Sequence, residues 1–375
     1  MLIKARTPPR ALAAAAGVLR DLAQANSFSI SRRLDKIIRV KDVLAALDHI
    51  TGGRCVKNLA DIFSGRNEFV IMKSSHIPGK ECMELPGLVC GDLEAPVKKL
   101  AVTMTLTECN IELAGATGVD AIIAHHPVVD AANTGGVNMR GYLDLYGLAV
   151  FELHEAFHGL HPGIAYIHGH QAFRVDIAYG NIPGNIVYVG RALDNVPTIG
   201  AILDRLNEFM GMGEEQKMLL TEKNVRDCNE ICETNVATGG KLLVGARENR
   251  VGTIIHIFPH TGFTARHLVQ IKQEHPEADT VIASISRVRP ENELVTKAAE
   301  LGLNFVVGNS HAMEMLENGL PLAAALHQLL PAVEVVLFRE RITSTPFYKV
   351  GTSAIRNYAD YIAREYLVNK ERRYE

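Results

Sequence analysis

Apolar stretches of strand length alternate with stretches of helical periodicity along much of this chain. The alternation is clearest over residues 100–124 and again over residues 251–338. Strands that alternate with helices of about ten to fifteen residues are typical of parallel β-α-β units. The strand-like stretches are 100–106, 120–124, 251–258, 279–285, 304–307 and 333–338, and the helical ones include 108–118, 264–274, 291–301 and 320–330.

Two separate regions of this kind indicate two lobes. We therefore predict an α/β fold, a two-lobed and duplicated α/β unit with mostly parallel β-α-β stretches. A further amphipathic stretch at 197–211, with a proline in its first turn, predicts one more helix. The predicted domains are a helical N-terminal extension (1–84), a first α/β lobe (85–195), a second α/β lobe (196–350) and a C-terminal helix and tail (351–375).

The first residues imitate a targeting peptide only superficially. Residues 1–23 carry basic side chains before an alanine-rich stretch, but alanine is weakly hydrophobic and Arg20 and Asp21 follow it directly. We predict a surface helix there, and a second helix that begins at Arg32 and is capped by Ser31.

The composition indicates a cellular compartment and argues against some classes of binding partner. The chain of 375 residues has a formal net charge of −3, which argues against binding of bulk nucleic acid. Its six cysteines show no paired framework, and no apolar run is long enough to span a bilayer. We predict a cytoplasmic globular protein with reduced thiols and no membrane partner.

Two adjacent histidines, His125 and His126, follow an apolar strand-like run and precede Pro127. Open α/β sheets bind ligands at the carboxyl ends of their strands. Neighbouring residues of a strand point to opposite faces, so both rings reach one site only if the chain bends here. Neutral imidazole is a common ligand of zinc, iron, copper and nickel, so the pair indicates a metal site. The alternative is that one ring packs in the core and the other is solvated.

Further histidine and glutamate residues occur three or four positions apart. His154 and His158 are four apart, a spacing that on a helix places both side chains on one face, as in helical zinc motifs. Glu155 lies between them as a candidate acid or base. His311 and Glu314 follow a later strand-like run and are three apart, a spacing that also shares a helical face.

The other histidines carry simpler predictions. His161, His168 and His170 lie in a glycine-rich segment and are predicted to be surface or oligomer-contact residues. His256 falls inside a strand-like stretch and is predicted to be a buried, hydrogen-bonded core residue.

At these motifs the chain resembles a known family, the GTP cyclohydrolase 1 type 2 homologues, which are dinuclear-metal proteins related to the NGG-interacting factor. Gly-Leu-Val-Cys-Gly-Asp at 87–92 resembles the family's Gly-Leu-x-x-Gly-Asp, and Ala-Ile-Ile-Ala-His-His-Pro at 121–127 resembles its signature strand. Residues 151–158 fall where the family has His-Thr-Asn-Leu-Asp, and residues 308–314 where it has Gly-His-x-x-x-Glu. The similarity spans residues 85–347.

The chain departs from the family pattern, which makes it a divergent member. Thr105 stands where the family's first strand usually ends in Asp, His158 replaces the Asp ligand, and residues 283–287 replace Thr-Gly-Glu. His311 and Glu314 are three apart rather than four. A site with more nitrogen and less negative charge favours zinc or iron over magnesium or manganese.

The resemblance implies two divalent metal ions per chain, in a cleft between the lobes, and a toroidal homohexamer. His154 and Glu155 are then the candidate catalytic residues, because they are placed to move protons. The implied metal ligands are His125, His126, His158, His311 and Glu314.

Three functions remain open from the sequence. The first is a metal-dependent hydrolase that acts on a nucleotide-like or phosphorylated small molecule. The second is a metal-binding protein without turnover, which serves as a carrier, buffer or sensor. The third is a hexameric scaffold for partner proteins in which the metal is structural.

Overall fold

The computed structural model describes residues 37–74, 81–128, 139–182 and 184–368. The helix predicted in residues 1–23, the first part of the helix predicted from Arg32 and the end of the predicted C-terminal tail lie outside these ranges. The described chain forms two compact units, each of which draws on two separate stretches of sequence. The first unit comprises the described residues of Met1–Leu160 and Asn318–Arg339, and the second those of His161–Glu317 and Glu340–Glu375.

The strands are numbered in chain order. They are β1 (Ile71–Ser74), β2 (Glu81–Glu84), β3 (Gly87–Cys90), β4 (Lys99–Thr103), β5 (Ala121–Ala124), β6 (Ala149–Glu152), β7 (His170–Asp176), β8 (Val187–Ala192), β9 (Cys232–Glu233), β10 (Lys241–Val244), β11 (Thr253–Ile257), β12 (Ala278–Ile285), β13 (Asn304–Ser310), β14 (Glu334–Phe338) and β15 (Thr343–Ser344).

The helices are numbered in the same way. They are α1 (Val40–Ile50), α2 (Glu108–Thr117), α3 (Met139–Tyr146), α4 (Gly163–Ile167), α5 (Ile199–Phe209), α6 (Met212–Arg226), α7 (Thr234–Ala237), α8 (Ala265–Glu274), α9 (Glu293–Glu300), α10 (Leu320–Leu329) and α11 (Ser353–Ile362). Short 3₁₀ turns occur at Leu59–Asp61, Tyr179–Asn181, Pro259–Thr261, His311–Met313 and Phe347–Lys349, and π-helical turns at Met315–Gly319 and Ala363–Val368.

The first unit is built on a five-stranded sheet with the order β14-β4-β5-β6-β3. The first four of these strands are parallel to their neighbours, and β3 pairs with β6 in the antiparallel sense. Leu100 and Val102 on β4 pack with α1 and α10, whereas Ala101 of the same strand packs with α2 and α3. Helices therefore cover both faces of the sheet, which explains why its strands read as continuous apolar runs.

The second unit is built on a six-stranded sheet with the order β10-β13-β12-β11-β8-β7. Its centre, β13-β12-β11, is parallel, and β10, β8 and β7 are joined in the antiparallel sense. Ile255 and Ile257 on β11 pack with α8 and α9, whereas Ile254 packs with α5 on the other face. Thr198 caps α5 by accepting a hydrogen bond from the Ala201 N–H, so the helix begins at Ile199, two residues after the predicted start, and Pro197 precedes it rather than lying in its first turn.

The predicted α/β class with parallel β-α-β stretches is confirmed by these two sheets. Within the predicted N-terminal extension, the described residues contain helix α1 and also an antiparallel hairpin of β1 and β2. Strands β7 and β8, which precede the predicted lobe boundary at 195, belong to the sheet of the second unit. None of the helices in the described ranges is both long enough and apolar enough to cross a membrane.

Candidate metal centre

His125 and His126 lie just beyond the carboxyl end of β5, which is flanked by β4 and β6. Their backbone N–H groups donate to the carbonyls of Thr103 (3.0 Å) and Met104 (2.8 Å), so the chain stays against the end of β4 while it bends. The two ring centroids are 5.5 Å apart, with planes inclined at 44°. The bend thus brings together two rings that a straight strand would direct to opposite faces.

His154 and His158 follow β6 in a turn rather than on a helix. Phe151 and Glu152 are strand residues, and the chain then forms a turn in which the His158 N–H donates to the His154 carbonyl at 3.3 Å. One helix-like hydrogen bond is sufficient to bring residues four apart together, and the ring centroids lie 4.7 Å from each other. The spacing argument therefore holds although the secondary structure differs.

The Nδ1 atom of each adjacent histidine has a fixed partner. His125 Nδ1 is 2.9 Å from the Leu153 carbonyl oxygen, which only accepts, so Nδ1 carries the proton and Nε2 the lone pair. His126 Nδ1 is 3.0 Å from the Thr105 hydroxyl. Thr105 is the residue that replaces the family's Asp at the end of the first strand, and here it orients a histidine.

The Nδ1 atoms of the other two histidines face carboxylates. His154 Nδ1 is 3.3 Å from Glu84 Oε2, and His158 Nδ1 is 3.2 Å from Glu155 Oε2. Carboxylates that hold the far nitrogen of an imidazole are the usual outer partners of metal-ligating histidines. They fix the tautomer in which Nε2 carries the lone pair.

Three of the four imidazoles converge. His125, His154 and His158 each offer one ligand atom, and these atoms lie within 4.8 Å of one another. His158 Nε2 is 3.3 Å from His125 Nε2. Two nitrogen ligands at about 2.0–2.1 Å from a tetrahedral zinc ion are themselves about 3.3 Å apart.

The positions of the ring protons show what the short distance between the Nε2 atoms of His125 and His158 requires. Because the Nδ1 atoms of His125 and His158 donate to acceptors, both neutral rings direct Nε2 lone pairs at each other. Two such lone pairs repel at 3.3 Å, and a cation between them, which is either a shared proton or a metal ion, removes the repulsion. The donor set therefore fits a divalent metal that prefers imidazole.

Exposure is graded across the three ligands. The His125 side chain is fully buried, whereas the side chains of His154 and His158 are 17% and 35% exposed. The buried ring supplies a rigid anchor, and the partly exposed rings leave one side of the cluster open to small molecules.

Glu84, which the sequence analysis missed, forms a second metal-capable group with His154 and Glu155. Its Oε1 accepts the Glu155 backbone N–H at 2.5 Å, and the side chain is fully buried. Since one oxygen is committed to that amide and the other faces His154 Nδ1, we interpret Glu84 as an orienting partner rather than a ligand. The residue ends a short hairpin strand in a segment predicted to be helical, so no spacing pattern marks it.

Replacing Glu84 with Gln should weaken metal binding about 10–100-fold, because the neutral amide holds His154 less firmly. Competition with a chromogenic chelator measures the affinity. Glu81→Gln, an exposed change on the same strand, is the matched control. Equal affinities for the two variants would contradict the orienting role.

His311 and Glu314, the remaining predicted ligands, belong to the second unit. They follow β13 in a 3₁₀ turn, where His311 is exposed and Glu314 is 6% exposed. The His260 ring, which the sequence did not single out as a metal-site residue, lies 5.3 Å from the His311 ring within the same unit. Their role as ligands stays a prediction.

His168 and His170 were expected at the surface or at oligomer contacts, and this expectation is wrong because both are fully buried. His168 Nδ1 donates to the Ile164 carbonyl (2.7 Å), and its Nε2 accepts the Asn309 N–H (3.0 Å). His170 Nε2 is 2.9 Å from Nδ1 of His256.

The prediction for His256, a buried and hydrogen-bonded residue of a strand, is confirmed: its Nε2 is 2.6 Å from the Ser284 hydroxyl. Two glycines make room for the neighbouring rings. A Cβ at Gly190 would meet His170 Nδ1, and one at Gly308 would meet His168 Nε2. The missing side chains on these strands therefore permit histidines in the core.

Comparison with family models gives one match in the region of this centre. Residues 69–134 match Duf34/NIF3 (NGG1p interacting factor 3), a segment that includes the His125-His126-Pro127 motif and Glu84. The resemblance inferred from the sequence is confirmed over this segment. No curated protein matches the chain.

Among solved structures, the chain is similar to a Bacillus cereus protein related to NIF3, with 13% sequence identity and a TM-score of 0.47. That match covers 84% of this chain and 99% of the other. Reduced HcgD from Methanocaldococcus jannaschii is 15% identical with a TM-score of 0.45, and the match covers 68% of this chain and 88% of that one.

Proposed function

From the membership of residues 69–134 in the Duf34/NIF3 family, we propose that this chain is a metal-dependent hydrolase of nucleotide-like or phosphorylated small molecules. Its metal core is His125, His154 and His158. The observation that carries the proposal is the approach of two imidazole Nε2 atoms to 3.3 Å while both Nδ1 atoms are held by acceptors. Such an arrangement needs a cation between the two nitrogens, and a metal ion fills this role where a proton does not.

Three protein ligands are the pattern of catalytic rather than structural sites. His125, His154 and His158 would hold a divalent metal with one position left for water, and the metal would supply a nucleophile near neutral pH by making that water more acidic. The carboxylate of Glu155 is 35% exposed and contacts His158 Nδ1 at 3.2 Å, so it can accept a proton beside the cluster. His154, the other predicted catalytic residue, is in this proposal a metal ligand whose Nδ1 is held by Glu84, so proton transfer is assigned to Glu155.

The family resemblance extends the proposal to a second metal ion, with zinc or iron as the favoured elements. In that extended set His126, His311 and Glu314 are additional ligands. Elemental analysis distinguishes the two cases, because one or two equivalents of metal per chain are expected respectively. The proposed homohexamer is tested separately by sedimentation velocity.

The second candidate, a metal carrier, buffer or sensor without turnover, is favoured by the exposure of one ligand. His158 is 35% exposed, so solvent and competing ligands reach the cluster without unfolding of the chain. In this case metal binds and exchanges while phosphoesters stay intact.

The test is metal content together with phosphoester turnover on protein purified without chelator or nickel. We expect bound zinc or iron, and hydrolysis of bis-p-nitrophenyl phosphate that is lost on chelation and restored by adding the metal back. Metal without turnover would support the carrier instead, and turnover that survives complete chelation would contradict both candidates.

A further inference from the structure

The first unit has an open cavity of about 620 Å³, which is lined by residues 52–57, Asp61 and residues 66–69. Small-molecule sites usually have volumes of about 300–1,000 Å³. A Cβ at Gly52 or Gly53 would meet no described atom within 4 Å, so the cavity has room on this side. It is therefore large enough for a ligand of nucleotide size.

We propose that this cavity binds a phosphate-bearing small molecule, and that the guanidinium group of Arg54 recognises the phosphate. The assignment concerns the first unit alone and requires no metal ion. It therefore goes beyond the proposed function and is tested separately from it.

Arg54 is held in place through both its backbone and its side chain. Its backbone N–H donates to the Thr51 hydroxyl at 3.3 Å, and its carbonyl accepts a hydrogen bond from the Asn67 amide at 2.8 Å. Its Nη1 donates to the Ala156 carbonyl at 3.1 Å, and its Cζ lies 4.7 Å from the centre of the Phe69 ring. A donor that is fixed before binding loses little conformational entropy when it meets a ligand.

The charge of Arg54 is not balanced by a neighbouring carboxylate. Its two side-chain partners, a carbonyl oxygen and an aromatic ring, are neutral, and it forms no ion pair with a described residue. A guanidinium carries five N–H donors in a planar fork, and the hydrogen bond to Ala156 uses one of them. The fork geometry matches two oxygen atoms of a phosphate group, which arginine commonly binds in a bidentate manner.

Two further basic residues line the cavity, each in an exposed ion pair. Lys57 Nζ is 2.6 Å from Asp48 Oδ2, and Arg66 Nη1 is 3.6 Å from Asp61 Oδ1. Because exposed ion pairs contribute little to stability, both side chains can turn toward a bound anion at small cost. Basic side chains outnumber acidic ones in the lining, which favours an anion over a metal cation. The basic ones are Arg54, Lys57 and Arg66, and the acidic ones are Asp61 and Glu68.

Arg54 also has an alternative, purely structural role. Ala156, whose carbonyl it holds, lies in the turn between His154 and His158. If Arg54 only supports this turn, its replacement changes metal affinity and leaves phosphate binding as it was. Anion recognition instead requires a change in phosphate affinity even in protein that holds no metal.

The experiment measures binding of AMP and of adenosine to the full chain by NMR titration, first after removal of metal by a chelator and then after addition of zinc. We expect the metal-free chain to bind AMP, and to bind adenosine, which lacks the phosphate, at least about 10-fold more weakly. Arg54→Met keeps an unbranched side chain beside Phe69 but removes the charge. It should weaken AMP binding about 10–100-fold, as expected for the loss of hydrogen bonds to a charged group.

Two other variants complete the test. Arg140→Met removes an exposed guanidinium from α3 in the same unit and is the matched control, with AMP affinity unchanged. Arg66→Gln changes an exposed side chain that the fold does not need, and should weaken AMP binding about 2–5-fold. If Arg54→Met does not fold, unchanged AMP binding by Arg66→Gln overturns the assignment.

The outcomes separate this assignment from the proposed function. Absence of AMP binding by the wild type at millimolar concentration, or equal affinities in Arg54→Met and Arg140→Met, would overturn the assignment. Binding that appears only after zinc is added would also overturn it, because the anion would then lie on the metal. A chain that binds AMP through Arg54 but takes up no metal would contradict the proposed function and support the assignment.

Discussion

Replacing His158 with alanine should give a folded protein that binds zinc or iron more than about a hundredfold more weakly than the wild type. Loss of an orienting partner alone costs about 10–100-fold, and here a ligand itself is removed. The side chain is 35% exposed, so its loss should leave the melting temperature almost unchanged. Elemental analysis after dialysis and competition with a chromogenic chelator measure the effect.

His327 provides the control, since it is exposed on α10 and His327→Ala removes an imidazole away from the cluster. His125→Ala should also abolish metal binding, but with a lower melting temperature, because the ring is fully buried and donates to the Leu153 carbonyl. Full metal content in His158→Ala would contradict the proposal of a three-histidine metal centre.

The free energy of unfolding of the wild type should fall between pH 7 and pH 5. Substituting His170 with Asn should make that fall smaller by about 2 kcal/mol. Burial lowers the pKa of His170 to about 3, whereas an unfolded histidine titrates near 6.5. The unfolded chain therefore binds a proton at pH 5 that the folded chain does not. The stability contribution is complete above pH 6.5 and is lost as the pH falls toward 3.

Other buried titratable groups also change the stability of the protein with pH, so the effect of His170 is measured by comparing variants. Burial lowers the pKa of His168 to about 4 and that of His256 well below its usual value, so both act in the same direction as His170. Burial raises the pKa of Glu317 to about 8, which acts in the opposite direction. Denaturant unfolding at pH 7, 6 and 5 gives the slope of the free energy of unfolding against pH for each variant, with His327→Asn as the exposed control. An unchanged slope in His170→Asn would contradict the prediction.

Sequence patterns predicted the parallel sheets and singled out the four histidines that the structure brings together, because both depend on local spacing. His125 and His126 end a strand, and His154 and His158 meet through one turn whether or not a helix forms. The family resemblance rested partly on these residues and is confirmed for 69–134, a segment that contains His125 and His126 but not His154 and His158.

What the sequence did not indicate depends on contacts between distant residues. Glu84 reaches His154 across 70 positions from a hairpin strand, and Asn318 reaches His125 across 193. The buried state of His170 depends on a missing side chain at Gly190, on the neighbouring strand β8. Sequence periodicity does not reveal such contacts, because each forms only when two separate elements pack together.

The interrupted course of the first unit has a consequence for its biosynthesis. Helix α10 and strand β14 belong to that unit but are translated after the whole stretch His161–Glu317. While the ribosome adds that stretch, the nascent unit lacks the strand that pairs with β4 and the helix that covers one face of its sheet. His125, His154 and His158 leave the exit tunnel in the course of this stretch, before Asn318 is made. Metal capture can therefore begin on a growing chain, but the mature surroundings of His125 are assembled only near the end of translation.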